Sequence, residues 1–395
     1  MELNVGFSDE IEFEKAIKRA FSEAVKGLNK IRFFFVFITE DYAKEDCYKI
    51  IKDVFKENRF IGSTTAGIIY KGNVYLKGVG IVAFGQGFNL LNSCIREGLS
   101  ENGRAVGERL AEECLEEIHS KETEGIFERC LCFLFPDGVA SNIESMIKGL
   151  SFKLPVINYV GGGSGDNLRF LKTMQFSDEN FTQDSVAVSV FDCSEDIGVG
   201  VAHGFHPISK LLIATDVDGN ILKQIDWHNA LKFYCSFLKV SSENVKNEIA
   251  KVAISNPIGV VQWSHFGESF IIRDIISSDN EGWLHTVGEI PLNSTIFIME
   301  GDRDSLREAA LVAARNAKLG ISGEVSGYLV FSCVSRYVLL GKEYYIKNEI
   351  DSIESVLGSD IPHLGILTFG EISCVGKSFP YFHNKTVVVS AFGKG

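Results

Sequence analysis

Arg59-Phe60-Ile61-Gly62-Ser63-Thr64-Thr65-Ala66-Gly67 runs from an apolar strand into a polar bend closed by glycine. The same transition occurs twice more. The strand Pro155–Val160 leads into Gly161-Gly162-Gly163-Ser164-Gly165-Asp166, and the strand His363–Thr368 leads into Phe369-Gly370-Glu371. Short apolar runs bounded by glycine and polar residues predict strands buried on both faces.

Reading outward from each bend gives one recurring order: helix, strand, helix, strand, bend, then hairpin strands ending in an aromatic. The first copy has helices over Ile11–Leu28 and Ala43–Glu57 and the strand Ile31–Ile38, and it closes on Val82-Ala83-Phe84-Gly85. The second has helices over Gly103–His119 and Ser141–Leu150 and the strand Arg129–Phe135, and it closes on Ser189-Val190-Phe191. The third has helices over Asp304–Lys318 and Asn348–Leu357 and the strand Gly327–Cys333, and it closes on Ser390-Ala391-Phe392. A degenerate fourth copy is expected over Asp226–Glu300, giving two units per domain. The fold class that follows is mixed α/β: two docked domains, with partly antiparallel sheets flanked by helices.

Composition narrows the function. The 395 residues exceed one ordinary core, and a formal charge of −13 repels phosphate backbones, so nucleic acid is not an expected partner. Thirty phenylalanines predict cores dominated by aromatic packing. The start lacks a basic and then apolar leader, and Phe33–Ile38 is too short to cross a bilayer, so no membrane association is expected. Nine scattered cysteines without a CxxC pair read as reduced thiols of a cytoplasmic protein and argue against structural zinc.

The three bends lie at carboxyl ends of buried strands, where open α/β sheets bind ligands. Ser63, Thr64 and Thr65 supply hydroxyls; Gly162, Gly163 and Ser164 allow close backbone approach, and Asp166 adds an acceptor. Glu371 adds a second acid, and Arg336 a fork for a carboxylate. This set suits a small zwitterion or polar metabolite. The plainer alternative is that glycines and Asp166 only shape tight turns. The glycine run is neither a P-loop nor GxGxxG opening a helix, since strand residues follow it. His203 and His206, three apart in a turn, raise haem or metal ligation against an ordinary structural role. His383-Asn384 before the last strand either binds ligand or orders a turn. Cys333 with His383 gives a conceivable Cys-dependent hydrolase or transferase, set against an inert buried thiol.

The chain resembles the FIST domain family. The resemblance rests on Ile61–Gly67, Asp137-Gly138, Gly162–Asp166, His203-Gly204-Phe205, Trp227–Tyr234, Phe331-Ser332-Cys333 with Arg336, Gly370-Glu371-Ile372 and Phe382–Thr386. It implies an N-terminal domain over 1–222 and a C-terminal domain over 223–395. It further implies a non-enzymatic intracellular sensor for amino acids or related metabolites, in a family often joined to signalling output domains. This sequence departs from that pattern and is expected to signal through a separate partner, such as a histidine kinase or another signalling protein, or to act alone as a receptor. A branch resembling haem-containing nitric-oxide sensors keeps that alternative open, with no cofactor as the first expectation. The sequence has Gly67-Ile68-Ile69 where the family commonly has Gly-Glu. An acidic surface that meets a basic partner, with the bends purely structural, is the remaining alternative.

Overall fold

The computed structural model describes residues 1–121, 125–154, 157–245, 248–264, 267–374 and 379–395. The expected strand start at Pro155 and Val156 lies outside them. Three α/β units are present, each with its own six-stranded sheet, together with a fourth, nine-stranded sheet.

Each unit places two parallel strands at its centre. They are Phe33–Thr39 with Phe60–Thr65, Cys130–Pro136 with Asn158–Gly162, and Val325–Cys333 with His363–Thr368. A helical crossover joins each pair, as parallel pairing requires. A closing strand then pairs antiparallel with the first: Val79–Phe84, Ser185–Cys193 or Val387–Gly393. A lead strand borders it: Leu3–Ser8, Phe88–Glu97 or Ile197–Ala202.

The hairpin after each bend joins a neighbouring unit's sheet. Gly67–Tyr70 of the first unit pairs with His363–Thr368 of the third; Gln175–Ser177 of the second pairs with Phe60–Thr65 of the first. Glu371–Cys374 of the third pairs with Asn158–Gly162 of the second. The exchange closes on itself and ties three units into a ring.

The inner faces of the three sheets share one core. Phe33, Phe35 and Phe37 point into it from the first unit, Phe133, Phe135 and Phe191 from the second, and Phe331 and Phe392 from the third. The Phe35 ring lies 4.8 Å from Phe133 and 5.2 Å from Phe135, both edge-on, the favoured arrangement for ring quadrupoles. The alternate residues Phe34, Val36 and Ile38 face outward and are covered by the helices Phe13–Ala24 and Cys47–Phe55. Both faces of the strand are therefore apolar, which is why it reads as a continuous run rather than an alternating one. The abundance of phenylalanine follows from three sheets sharing one interior.

The expected fourth copy is corrected. Residues between His206 and Glu300 form the nine-stranded sheet, and every described pairing that joins two of its strands is antiparallel. Ile258–Ser264 is followed directly by its partner Gly267–Arg273, with no room for a crossover helix, so a parallel pair is impossible there. This sheet is an insert in the third unit, between its lead strand and the helix Arg303–Leu319. The helix Ala230–Leu238 packs on it through Leu231, Tyr234 and Cys235.

Candidate functional site

The three bends are the points where the chain leaves one sheet for the next, so the ring closure brings them together. Gly163 and Phe369 exchange backbone hydrogen bonds with each other's neighbourhood: Gly163 N donates to Gly370 O and Phe369 N donates to Gly163 O, both at 2.9 Å. Gly165 N donates to Thr64 O at 3.2 Å, and Ala66 N to Leu367 O at 3.1 Å. A side chain has no room in this crossing. A Cβ on Gly163 would lie 2.4 Å from Phe369 O, and one on Gly161 would lie 2.0 Å from Leu134 O.

The polar side chains at the crossing are buried and engaged by the chain itself. Thr64 Oγ1 accepts from Met174 N, and Thr65 Oγ1 donates toward Leu367 O at 2.8 Å. Ser164 Oγ donates to Pro136 O and accepts from Gln175 Nε2. Asp166 accepts from the backbone of Phe170, Leu171 and Lys172 at 2.7–2.9 Å and so fixes a loop with left-handed residues at Asn167, Leu168 and Phe170. Ser63 Oγ alone among these atoms is buried without a partner. Gly162 pairs with Glu371 in the exchanged strand, which links the crossing to the second group of residues.

That second group gathers at the carboxyl ends of the third unit's central strands, where the inserted sheet packs on the ring. Arg336 and Glu349 are both fully buried and paired at 2.9 Å. Ser332 Oγ also donates to Glu349 at 2.6 Å. The remaining guanidinium donors reach the carbonyls of His203, Lys385 and Leu306 at 2.8–3.0 Å. The fork expected to hold a ligand carboxylate holds an internal one instead, because the π-helical turn Tyr345–Ile350 swings Glu349 beneath it.

Glu371 accepts from Thr368 Oγ1 and Thr386 Oγ1, each at 2.6 Å, and from Thr386 N at 3.1 Å. Burial pushes its carboxyl up to about 8, against the pull of those donors. Cys333 Sγ contacts Ser335 Oγ at 3.0 Å; burial, then the Glu371 charge, pushes its thiol up to about 12. His383 donates from Nε2 to Ser373 O at 3.1 Å, and burial lowers its ring to about 4. Cys333 and His383 therefore each face another partner, without a thiolate or a thiol–imidazole contact. Asn384 Oδ1 accepts from Asp274 N at 3.3 Å.

Haem does not fit the histidine turn. Phe205 N donates to His203 Nδ1 at 2.9 Å, which puts the ring proton on Nε2 and leaves no lone pair there for iron. Burial, then Arg336, lowers that ring to about 4. His206 is exposed, 3.8 Å from Glu300. Among the described residues no three His, Cys, Asp or Glu side chains group to hold a metal ion.

Several residues at this seam escaped sequence reading. Lys385 lies inside the quoted Phe382–Thr386 stretch but reads as an ordinary surface lysine; it is 1% exposed, with Nζ 3.0 Å from Asp274 Oδ2. Arg273, from the inserted sheet, binds the Phe382 carbonyl at 2.9 Å and pairs with Glu144 of the second unit. Nothing near Asp274, Arg273 or Glu349 in sequence announces these partners.

A family model for the FIST N domain matches residues 32–228, and one for the FIST C domain matches residues 230–374. The chain belongs to the FIST family. FIST domains are associated with signal-transduction sensors that bind small ligands. No curated protein matches the chain. The two FIST matches meet at 228 and 230, inside the inserted sheet, while the exchanged hairpins bind sheets on both sides of that point. No helix among the described residues is long and apolar enough to cross a membrane.

Proposed function

We propose that this FIST protein is a cytoplasmic sensor that captures a small polar metabolite, such as an amino acid, without transforming it, and passes the signal to a separate partner such as a histidine kinase. The observation that carries the reading is the concentration of buried polar groups where the third unit's strand ends meet the inserted sheet. His203, Cys333, Arg336, Glu371, His383 and Asn384 all belong to it. Buried polar groups on this scale are costly to the fold unless they serve recognition or fix a unique structure. The crossing residues Ser63, Thr64, Thr65, Gly162, Gly163, Ser164 and Asp166 hold the frame on which that group stands. All nine cysteines are free thiols, which supports a reducing compartment.

Mass spectrometry of small molecules released from the natively purified protein, followed by thermal shift with the compounds found, tests the reading. A ligand at a hundred times its dissociation constant stabilises by about 2.7 kcal/mol, a shift of several degrees. A protein that releases no metabolite, and whose melting no amino acid or organic acid moves, is not this sensor.

A further inference from the structure

Among the described residues, one charged side chain is buried without a hydrogen bond to another of them. Lys385 Nζ has no hydrogen-bond acceptor among the described residues, although it lies 3.0 Å from Asp274 Oδ2. The contact is an ion pair whose geometry is not that of a hydrogen bond, so no described residue takes up the ammonium's donors. An ammonium carries three N–H groups, and leaving them unpaired in the interior costs free energy.

The backbone holds this arrangement in place. Lys385 sits at φ +56°, the left-handed region a long side chain rarely adopts. Arg336 fixes its carbonyl, Glu371 fixes the next residue through Thr386 N, and Asn384 ties the preceding residue to Asp274 N. Strain kept by contacts from three directions aims the lysine at one spot. An aromatic wall stands beside it: the Phe205 ring centroid is 5.9 Å from Nζ. Phe270 and Phe297, edge-on at 5.6 Å and only partly buried, continue the same apolar cluster toward solvent. Asp274 keeps 13% of its side chain accessible, so the pair is reached from outside on the acid's side.

We infer that the Lys385–Asp274 pair is the recognition site for a zwitterion, the ligand's carboxylate taking Lys385 and its ammonium taking Asp274. The class follows from charge conservation at a pair with little access to solvent. A simple anion on Lys385 would strand the Asp274 carboxylate, and a simple amine on Asp274 would strand the lysine; either leaves one buried charge uncompensated, at high cost. A zwitterion replaces one poorly aligned pair by two pairs and leaves no charge alone. The two residues come from different parts of the fold, Asp274 from the inserted sheet and Lys385 from the ring, so the ligand bridges the seam between them. This inference rests on the sensor reading and assigns its ligand contacts.

Calorimetry with the twenty standard amino acids, each beside its deaminated acid and its decarboxylated amine, tests it on the full chain and on K385M, D274N and the double variant K385M/D274L. At least one amino acid is expected to bind the wild type, with its acid and amine counterparts at least tenfold weaker. K385M and D274N each lose at least tenfold. The double variant, whose charges are both gone, keeps its circular dichroism and binds none. An amino acid bound equally by wild type and double variant overturns this assignment and leaves the sensor reading standing. So does an acid that binds as well as its parent, or a co-purifying metabolite that is not a zwitterion. Absence of both a co-purifying metabolite and any calorimetric response overturns the two together.

Discussion

Two buried ion pairs lie side by side in the third unit, and they are built differently. Arg336 and Glu349 are fully enclosed, and nearly every donor of the guanidinium has a named acceptor. Lys385 and Asp274 share the same neighbourhood, since Arg336 donates to the Lys385 carbonyl, yet the ammonium makes no hydrogen bond to a described residue. The saturated pair joins the lead strand's exit, the helix Arg303–Leu319, the π-helical turn and the last hairpin into one frame. The unsaturated pair spans the seam with the inserted sheet. The contrast teaches that burial alone does not distinguish a strut from a receptor; the count of satisfied donors does.

The largest expected effect falls on the saturated pair. Arg336→Met leaves Glu349 buried beside one serine hydroxyl and frees three carbonyls, so it costs about 3–5 kcal/mol in chemical denaturation. Arg336→Met with Glu349→Leu removes the stranded charge and recovers a large part of that loss. A single variant that melts like the wild type would erase the distinction between the two pairs.

The titrating groups packed around the pairs sharpen it next. His203 and His383 are lowered to about 4, from an ordinary 6.5, so the unfolded chain binds more protons than the native one between those values. Their contribution is fully present above 6.5 and is lost as pH falls toward 4. Glu371 is raised to about 8 from 4.5, so there the native state holds the extra proton. Its contribution is present below 4.5 and is lost as pH rises to 8. Among these three groups, two opposing protons against one give a rise on the order of 1 kcal/mol per pH unit between roughly 4.5 and 6.5, then a fall toward 8. The combined contribution of these three groups is expected to peak near pH 6.5. His383→Gln, which keeps a donor for Ser373 O, should flatten the acid limb, and Glu371→Gln should remove the alkaline fall. Urea melts at half-unit pH steps measure both; a profile rising through pH 8 contradicts the Glu371 assignment.

The same contrast explains what was legible in the sequence. The three units were readable because each central strand is apolar on both faces and each is followed by a polar bend. Which sheet each hairpin joins was not readable, since the residues of Gly67–Tyr70 pair as well with one strand end as another; only the closed Phe-rich interior decides. The inserted sheet reads as a fourth copy in sequence because Ala230–Leu238 supplies a helix and the strands that follow are apolar, and the missing crossover leaves little mark on composition. At the seam, Arg336 and Glu371 stand out as polar residues just past apolar strands, and His383 and Asn384 as polar residues just before the last one. Their partners Glu349 and Asp274 did not, being supplied by a helical turn and by a separate sheet. Arg336 consequently read as a ligand fork when its carboxylate was already in the chain.

The smallest expected effect belongs to the unsaturated pair, and its smallness is the point. Replacing a buried ion pair by apolar residues of similar size is often neutral or stabilising, because the desolvation penalty disappears with the charges. For Lys385 and Asp274 that penalty is offset by one ion contact and a distant aromatic face, with no hydrogen bond from the ammonium to a described residue. Lys385→Met with Asp274→Leu should therefore change the unfolding free energy by no more than about 1 kcal/mol in either direction. The corresponding double replacement at Arg336 and Glu349 must also abandon three carbonyls and Ser332, and should stay measurably below the wild type. Side-by-side urea melts of the two double variants give the comparison directly. If the Lys385–Asp274 replacement destabilises as much as the other, the pair is a strut like its neighbour, and the unpaired ammonium has no claim to be waiting for a ligand.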